Sequence, residues 1–515
     1  MDVLYRTGEL RALEARAQAE LPTGTLMQRA GEAAAAAIDQ GWPHRFLPQD
    51  PGCGAARSGK TASILVLCGP GNNGGDGFAT AIALQRRGHA CLCWAPLGSA
   101  TDDATAARQQ WAHSGGETVA DAPETGSFDL AVDAILGIGG TRPLAGMLLA
   151  ALRWVERHGL PVAALDLPSG IDADTGEWLG GIAGAPAVLT VSFLGDKAGL
   201  HLRDALAARG DLHIDRLGVD PDPRDPLPAG RLIGPAGFQP LLLRRAPDVN
   251  KGSYGTVAVA GGAAGMVGAA LLAGRAALRL GAGKVFVDCL GAPALAVDPM
   301  QPELMLQAGR TPGRGEVLVA GCGMGREPAA TARLRAWIAH EGPVVFDADA
   351  LNAVAADAAL RNAVRARGRV TVLTPHPGEA ARLLQTETAS VQHDRVASAL
   401  RLAEALQAIV VLKGAGTVVA DPSGAYAINP SGGPALATAG TGDVLAGIAG
   451  ALLAQFDDAL AAVRAAVWLH GRAAELHGSD VGLSAAEVAP LAARAWEQAR
   501  AAQARTRPGV VSATP

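Results

Sequence analysis

Short apolar runs of Val, Ile, Leu and Ala recur along the chain, and most of them end at a glycine cluster. SILVLC runs into GPGNNGGDG, FDLAVDA into ILGIGG, and LPVAALDLPSG, GTVAVAGG, VLVAGCGMG and AIVVLKGAG repeat the arrangement. Apolar runs without polar alternation must be covered on both faces. The stretches between them, such as GFATAIALQRRG and GAALLAGRAALRLGAG, read as helices. The pattern predicts an α/β fold built from doubly wound parallel sheets. Glycine accounts for 66 of the 515 residues, well above the usual ~7%. No Gly-X-Y period runs through the chain, so the glycines are assigned to loops that need positive φ or close approach to a ligand. The alanine-rich helical stretches, such as GEAAAAAIDQG, are read as compositional bias.

At roughly 150 residues per domain, the length allows two large domains or about three. The segment GVDPDPRDPLPAG, 218–230, disfavours both helix and central strand. It divides the chain into a first domain at 1–220, a linker at 221–230 and a second domain at 231–505. A disordered tail is expected at 506–515. Lys+Arg 44 against Asp+Glu 49 gives a net charge of −5, which offers no basic field for nucleic acid. The hydrophobic content of 49% excludes a disordered chain. Six scattered cysteines, with no CxxC pair and no zinc spacing, read as reduced thiols. The N-terminus is charged throughout and lacks the apolar core of a signal peptide. The uncharged stretch 256–274 is long enough to raise a membrane span. Its Gly/Ala content and β-branched start read instead as strand, loop and helix. A cytoplasmic homo-oligomer with no nucleic-acid or membrane partner is expected.

Two pattern matches need context. Residues 54–61, GAARSGKT, fit GxxxxGK[ST], but a proline-rich segment precedes them and a strand follows, the reverse of a phosphate loop. They are read as a surface insertion. Gly69–Gly74 fits GxGxxG after a strand, yet HACLCWAPLG offers no acid for a ribose, which argues against an ordinary dehydrogenase. Its amides remain suited to an anion.

Four segments of the first half carry a resemblance: GPGNNGGDG, VDAILGIGGTRPLAG (132–146), LDLPSGIDADTG (165–176) and TVSFLGDKAGL, with LMQRAG before them. Together, over residues 1–218, they resemble the NAD(P)H-hydrate epimerase family. Gln28 departs from its usual Glu, and residues 43–61 are extra. The resemblance implies a Rossmann-like domain that interconverts the R and S epimers of NADH or NADPH hydrated at C6 of the nicotinamide. It implies K+ bound by Asn73, Asp133 and Ser169. The hydrate would be cradled by Asn72, Asn73, Gly74, Gly75 and Asp76, and by Gly137, Ile138, Gly139, Gly140, Thr141, Arg142 and Pro143. Asp166 would touch the substrate and shuttle a proton, or else serve as a turn carboxylate. Ring opening at C6 and loss of water both stay open as routes.

In the second half, ATAGTGD (437–443) leads into the helical VLAGIAGALLAQF, so free helix amides and Asp443 share one turn. Asp443 is a general base beside a phosphate site, or a helix cap. GTGD resembles the ribokinase-like superfamily. With NKGSYG, FDADALN, TPHPGE and KGAGT in this order, residues 230–500 resemble the ADP-dependent NAD(P)H-hydrate dehydratase family. Gly433 departs from its usual Asn. The resemblance implies dehydration of the S hydrate while ADP gives AMP and phosphate, with Mg2+ accompanying the nucleotide. Asp443 would be the base. Gly442 and Lys413, Gly414, Ala415, Gly416 and Thr417 would hold the nucleotide, and Gly323 and His376 would contact the hydrate. His376 is otherwise a loop residue bonded to backbone. The competing function is a ribokinase-like kinase of a small alcohol fused to a non-catalytic nucleotide-binding module.

Overall fold

The computed structural model describes residues 2–42, 44, 46, 61–123, 127–220, 222–291 and 296–506. Most of the GAARSGKT segment (54–60), Cys53, Pro221 of the expected linker and residues 507–515 of the expected tail lie outside the described residues. Two compact units are present: Val3–Ala229, and Gly230–Pro515 together with Met1–Asp2.

The first unit carries a seven-stranded sheet. Its order is Glu117–Val119, Ala90–Trp94, Ser63–Cys68, Leu130–Ala134, Val162–Leu165, Leu189–Phe193 and Asp211–Asp215. Every pairing is parallel. The earliest of these strands, Ser63–Cys68, lies inside the sheet, and the chain winds away from it first one way and then the other. The reversal between Ser63–Cys68 and Leu130–Ala134 opens a crevice at the strands' carboxyl ends, where such sheets bind ligands. Before the second unit, the Pro-rich segment is tied back to the helix Thr7–Glu20. Arg16 Nε donates to Asp225 Oδ1 at 2.7 Å, and Arg224 pairs with Glu20 at 2.9 Å.

Within the second unit the order is Met305–Leu306, Lys284–Cys289, Thr256–Gly261, Val317–Ala320, Val344–Phe346, Thr371–Leu373, Ile409–Leu412, Val418–Ala420, Tyr426–Ile428 and Gly230–Leu232. Only the pairings made by Val418–Ala420 are antiparallel. The direction again reverses beside Thr256–Gly261, between it and Val317–Ala320. The uncharged stretch 256–274 becomes the strand Thr256–Gly261 and part of the helix Val267–Arg279. No helix among the described residues is long and apolar enough to cross a membrane.

Two expectations change. The nine residues GPGNNGGDG are not all loop, because the helix Asn72–Arg86 begins inside them. Its glycines serve close packing: a Cβ on Gly74 would lie 1.8 Å from the Gly69 carbonyl oxygen. The small residues of GEAAAAAIDQG are more than compositional bias. A Cβ on Gly31 would lie 2.6 Å from the backbone of Ala79, and Ala34 and Ala35 are wholly buried. Small side chains let the helices Thr25–Gly41 and Asn72–Arg86 approach closely.

Candidate functional sites

At the crevice of the first unit lies a cavity of about 620 Å3. Asn72, Asn73, Asp76, Gly137, Ile138, Gly139, Gly140, Asp166 and Lys197 all reach its wall. Gly74 and Gly75 are buried behind it, and Thr141, Arg142 and Pro143 are not part of the wall. Asp166 follows the strand Val162–Leu165 with φ +69°, a left-handed conformation unusual for a non-glycine residue. Its amide donates to the Val191 carbonyl at 2.7 Å, which anchors the turn. Asp166 Oδ2 accepts from the Ile138 amide at 2.9 Å. A Cβ on Gly137 would come within 2.6 Å of that oxygen, so a side chain there would push the carboxylate aside. Asp166 Oδ1 pairs with Lys197 Nζ at 2.6 Å. Lys197 is buried and also donates to Ser192 Oγ (2.6 Å) and the Phe193 carbonyl (3.2 Å). Asp166 is thus bound across two other loops and is not merely a turn carboxylate.

Asp133 sits under the wall, wholly buried at the end of its strand. Its oxygens accept from Ser169 Oγ (2.6 Å), the Ser169 amide (2.8 Å) and the Ile135 amide (3.2 Å). Burial raises its pKa even though these bonds oppose the shift. Asn73 is buried too, and neither its amide oxygen nor its nitrogen has a partner. Such orphaned groups are costly unless a ligand satisfies them.

In the second unit, the helix Thr441–Gln455 starts from Gly440 at φ +88°. No side chain caps it, so Asp443 in its first turn is not used as a cap. The ligand atoms of Asp443, Asp347 and Cys322 lie within 4.8 Å of one another. Burial, reinforced by the charge of Asp347, pushes the Asp443 carboxyl up to about 6. Asp347 Oδ1 accepts from Lys413 Nζ at 2.7 Å and from Thr374 Oγ1 at 2.8 Å. Lys413 Nζ lies 3.3 Å from where a Gly442 side chain would begin. The cation and the free amides of the helix therefore face one point. Burial lowers the Lys413 pKa, but the opposing Asp347 charge prevails and the net shift is upward.

The loop Lys413–Thr417 rests on Arg395, whose buried guanidinium donates to the Leu412 and Lys413 carbonyls, each at 3.1 Å. Gly414 and Gly416 have positive φ, and Thr417 Oγ1 closes the loop onto the Gly414 carbonyl at 3.0 Å. Gly323, at φ +59°, lies in the turn that carries Cys322. His376 does take the backbone-bonded role, since its Nδ1 accepts from the Gly378 amide at 3.0 Å. Its other nitrogen lies 3.4 Å from Glu379, a buried carboxyl pushed up to about 7 by burial. His470, shifted down to about 4 by burial, holds the Thr441 carbonyl at 2.9 Å. Lys197, Asp347 and Arg395 were not singled out from the sequence as site residues. Lys197 and Asp347 lie inside the motifs TVSFLGDKAGL and FDADALN, which were the available signals, while Arg395 lies in none.

Two family models match the chain. The YjeF-related protein N-terminus covers residues 23–199, and NAD(P)H-hydrate dehydratase covers residues 257–494. A bifunctional NAD(P)H-hydrate repair enzyme of Coxiella burnetii is 36% identical over 505 residues, covering 95% of this chain and 98% of that protein. The Escherichia coli enzyme of the same name is 35% identical over 81% of each chain. An ADP-dependent (S)-NAD(P)H-hydrate dehydratase of Neisseria meningitidis is 44% identical, covering 50% of this chain and 89% of its own. A crystal structure of a Bacillus subtilis ADP/ATP-dependent NAD(P)H-hydrate dehydratase is 30% identical, with a TM-score of 0.46 over 52% of this chain and 98% of its own. The first unit has the doubly wound strand order of a Rossmann-like sheet, and the second is an α/β unit with a mostly parallel sheet. With both models in order along the chain, and relatives matched almost end to end, the chain belongs to the family of bifunctional NAD(P)H-hydrate repair enzymes.

Proposed function

We propose that the chain repairs hydrated NADH and NADPH at two sites. The first unit interconverts the R and S hydrates. The second returns the S hydrate to the reduced cofactor, with ADP giving AMP and phosphate. The observation that carries the second activity is Asp443 beside Lys413 and the first-turn amides of Thr441–Gln455. Hydroxide is a poor leaving group, and a phosphoryl group on the C6 oxygen makes it a good one. Asp443 takes the hydroxyl proton while the β-phosphoryl passes from ADP to that oxygen. Lys413 and the amides near Gly442 stabilise charge on the phosphate. Lys413–Thr417 and Gly442 hold the nucleotide, and Gly323 and His376 contact the hydrate. Asp347 would offer Mg2+ its second carboxylate oxygen, the first being bonded by Lys413 and Thr374, and the ion would screen the phosphate charge.

Because a base must be unprotonated, ADP-dependent turnover should be half-maximal near pH 6, approach its full rate well above that and fall as pH drops below it. The turnover rate of S hydrate against pH checks this. Asp347→Asn, which removes a charge that raises the Asp443 pKa, should move the acid limb lower.

In the first unit, Asp166 contacts the hydrate, with Asn72–Asp76 and Gly137–Pro143 around it. The residues fit a potassium ion. The orphaned Asn73 amide and the buried Asp133 carboxylate, which has no cationic side chain beside it among the described residues, would hold one together with Ser169. The ion supplies the missing positive charge. Exchanging K+ for a bulky organic cation should slow epimer exchange several-fold, and Asn73→Ala should remove that dependence. A rate indifferent to the cation would count against the assignment.

A further inference from the structure

Two carboxyl groups reach the first unit's cavity in opposite circumstances. Asp166 is paired to Lys197 at 2.6 Å and to the Ile138 amide at 2.9 Å. Asp76, on the helix Asn72–Arg86, lines the same cavity, yet its carboxyl has no ion-pair or side-chain hydrogen-bond partner among the described residues. The ionisable groups around it are Glu14 and Arg11 of the helix Thr7–Glu20, Asp103 of the helix Asp102–His113, and Asp166 with Lys197. The Lys197 ammonium is already taken by Asp166, Ser192 and Phe193. Burial, then the charges of Asp166, Glu14 and Asp103, hold Asp76 well above the ordinary carboxylate range. An unpaired carboxyl and a carboxyl paired to a lysine, facing one cavity, form a recurrent arrangement for moving protons.

Resting on the epimerase reading above, we propose that Asp76 is the proton donor of epimerisation, Asp166 the proton acceptor, and C6–O the bond that breaks. The chemistry of the hydrate favours this bond. The N1 lone pair is shared with the C2=C3–carboxamide system, which makes N1 a poor proton acceptor and a good electron donor toward C6. Asp76 gives its proton to the C6 hydroxyl, and the C6–O electrons leave with water. The N1 lone pair closes a C6=N1 double bond, which makes C6 planar. Water then adds to the opposite face, and its surplus proton goes to Asp166. One proton passing from Asp166 back to Asp76 resets the site. No oxidant, reductant or nucleotide is consumed.

The test uses the intact chain, separated R hydrate of NADH and no ADP, in 18O-labelled water. Chromatography follows the epimers and mass spectrometry the C6 oxygen. Inversion by the wild type should carry label in proportion. Its rate should fall with rising pH as Asp76 ionises. Asp76→Asn should invert at least about 100-fold more slowly and lose that pH limb, the usual scale for removing a general acid. Asp76→Glu should restore part of the rate. ADP-dependent turnover of the S hydrate should stay at the wild-type rate in both variants, and calorimetry should show the first unit melting as in the wild type. Inversion by Asp76→Asn at the wild-type rate, or wild-type inversion without label, would overturn the proposal alone. A wild type that leaves the R hydrate untouched would remove the epimerase reading with it.

Discussion

Asp443→Ala is expected to abolish ADP-dependent recovery of NADH, by about a thousandfold or more, within the range for removing a positioned general base. The carboxyl is half-buried, its pKa raised by burial and by Asp347, and it shares one turn with the free amides of Thr441–Gln455. Nothing in that turn replaces it. Asp347 is engaged by Lys413 and Thr374, and burial pushes the Cys322 thiol far above its ordinary value. The helix start survives the substitution because Gly440, in a left-handed conformation, forms its cap. Exchange between R and S hydrates should continue at the wild-type rate, and Asp443→Asn should behave like Asp443→Ala. Stopped turnover with normal epimer exchange, followed by chromatography, is the expected pair of results. Retained turnover would assign the base to another residue.

Lys197→Met should have the second largest effect, and it should reach stability as well as activity. The ammonium satisfies a carboxylate, a hydroxyl and a carbonyl at once in a buried position. Removing one partner of a buried ion pair costs about 3–5 kcal/mol, because the other charge is left uncompensated. That is a large share of the about 5–15 kcal/mol that holds a typical domain together. Asp166 also loses the contact that fixes its oxygen in a strained backbone position. The variant should melt earlier in its first unit and lose epimer exchange, while ADP-dependent turnover of the S hydrate persists. Lys197→Met combined with Asp166→Asn removes the stranded charge, so it should regain stability without regaining exchange. Calorimetry of the three variants with epimer chromatography separates the two effects. A single variant with the melting and exchange of the wild type would show that the pair is dispensable.

The parallel sheets were legible because their central strands are continuous apolar runs, whereas the edge strands Glu117–Val119 and Asp211–Asp215 carry no such signal. Glycine clusters marked the turns after the central strands, and Asp443 was readable because GTGD sits between a loop and a long apolar helix. What stayed hidden depends on distance along the chain. Lys197 meets Asp166 across two loops, and Lys413 meets Asp347 from a different strand end. Neither pairing leaves a local spacing in the sequence. The start of the helix Asn72–Arg86 was hidden for another reason. Glycine and asparagine are poor helix formers, and only close packing against Gly69 and Met27 makes Gly74 and Gly75 the residues that fit. The buried Arg395 behind Lys413–Thr417 carries no signal at all beyond its charge.

The most direct test of two separate repair sites is the return of absorbance at the reduced-nicotinamide band, with mixed R and S hydrates of NADH and excess ADP. The intact chain should recover the whole pool. Asp443→Ala should recover none of it. Asp166→Ala should recover the S portion at the normal rate and the R portion only as fast as R converts without the enzyme. If Asp166→Ala slowed both portions equally, the assignment of two independent sites would be contradicted.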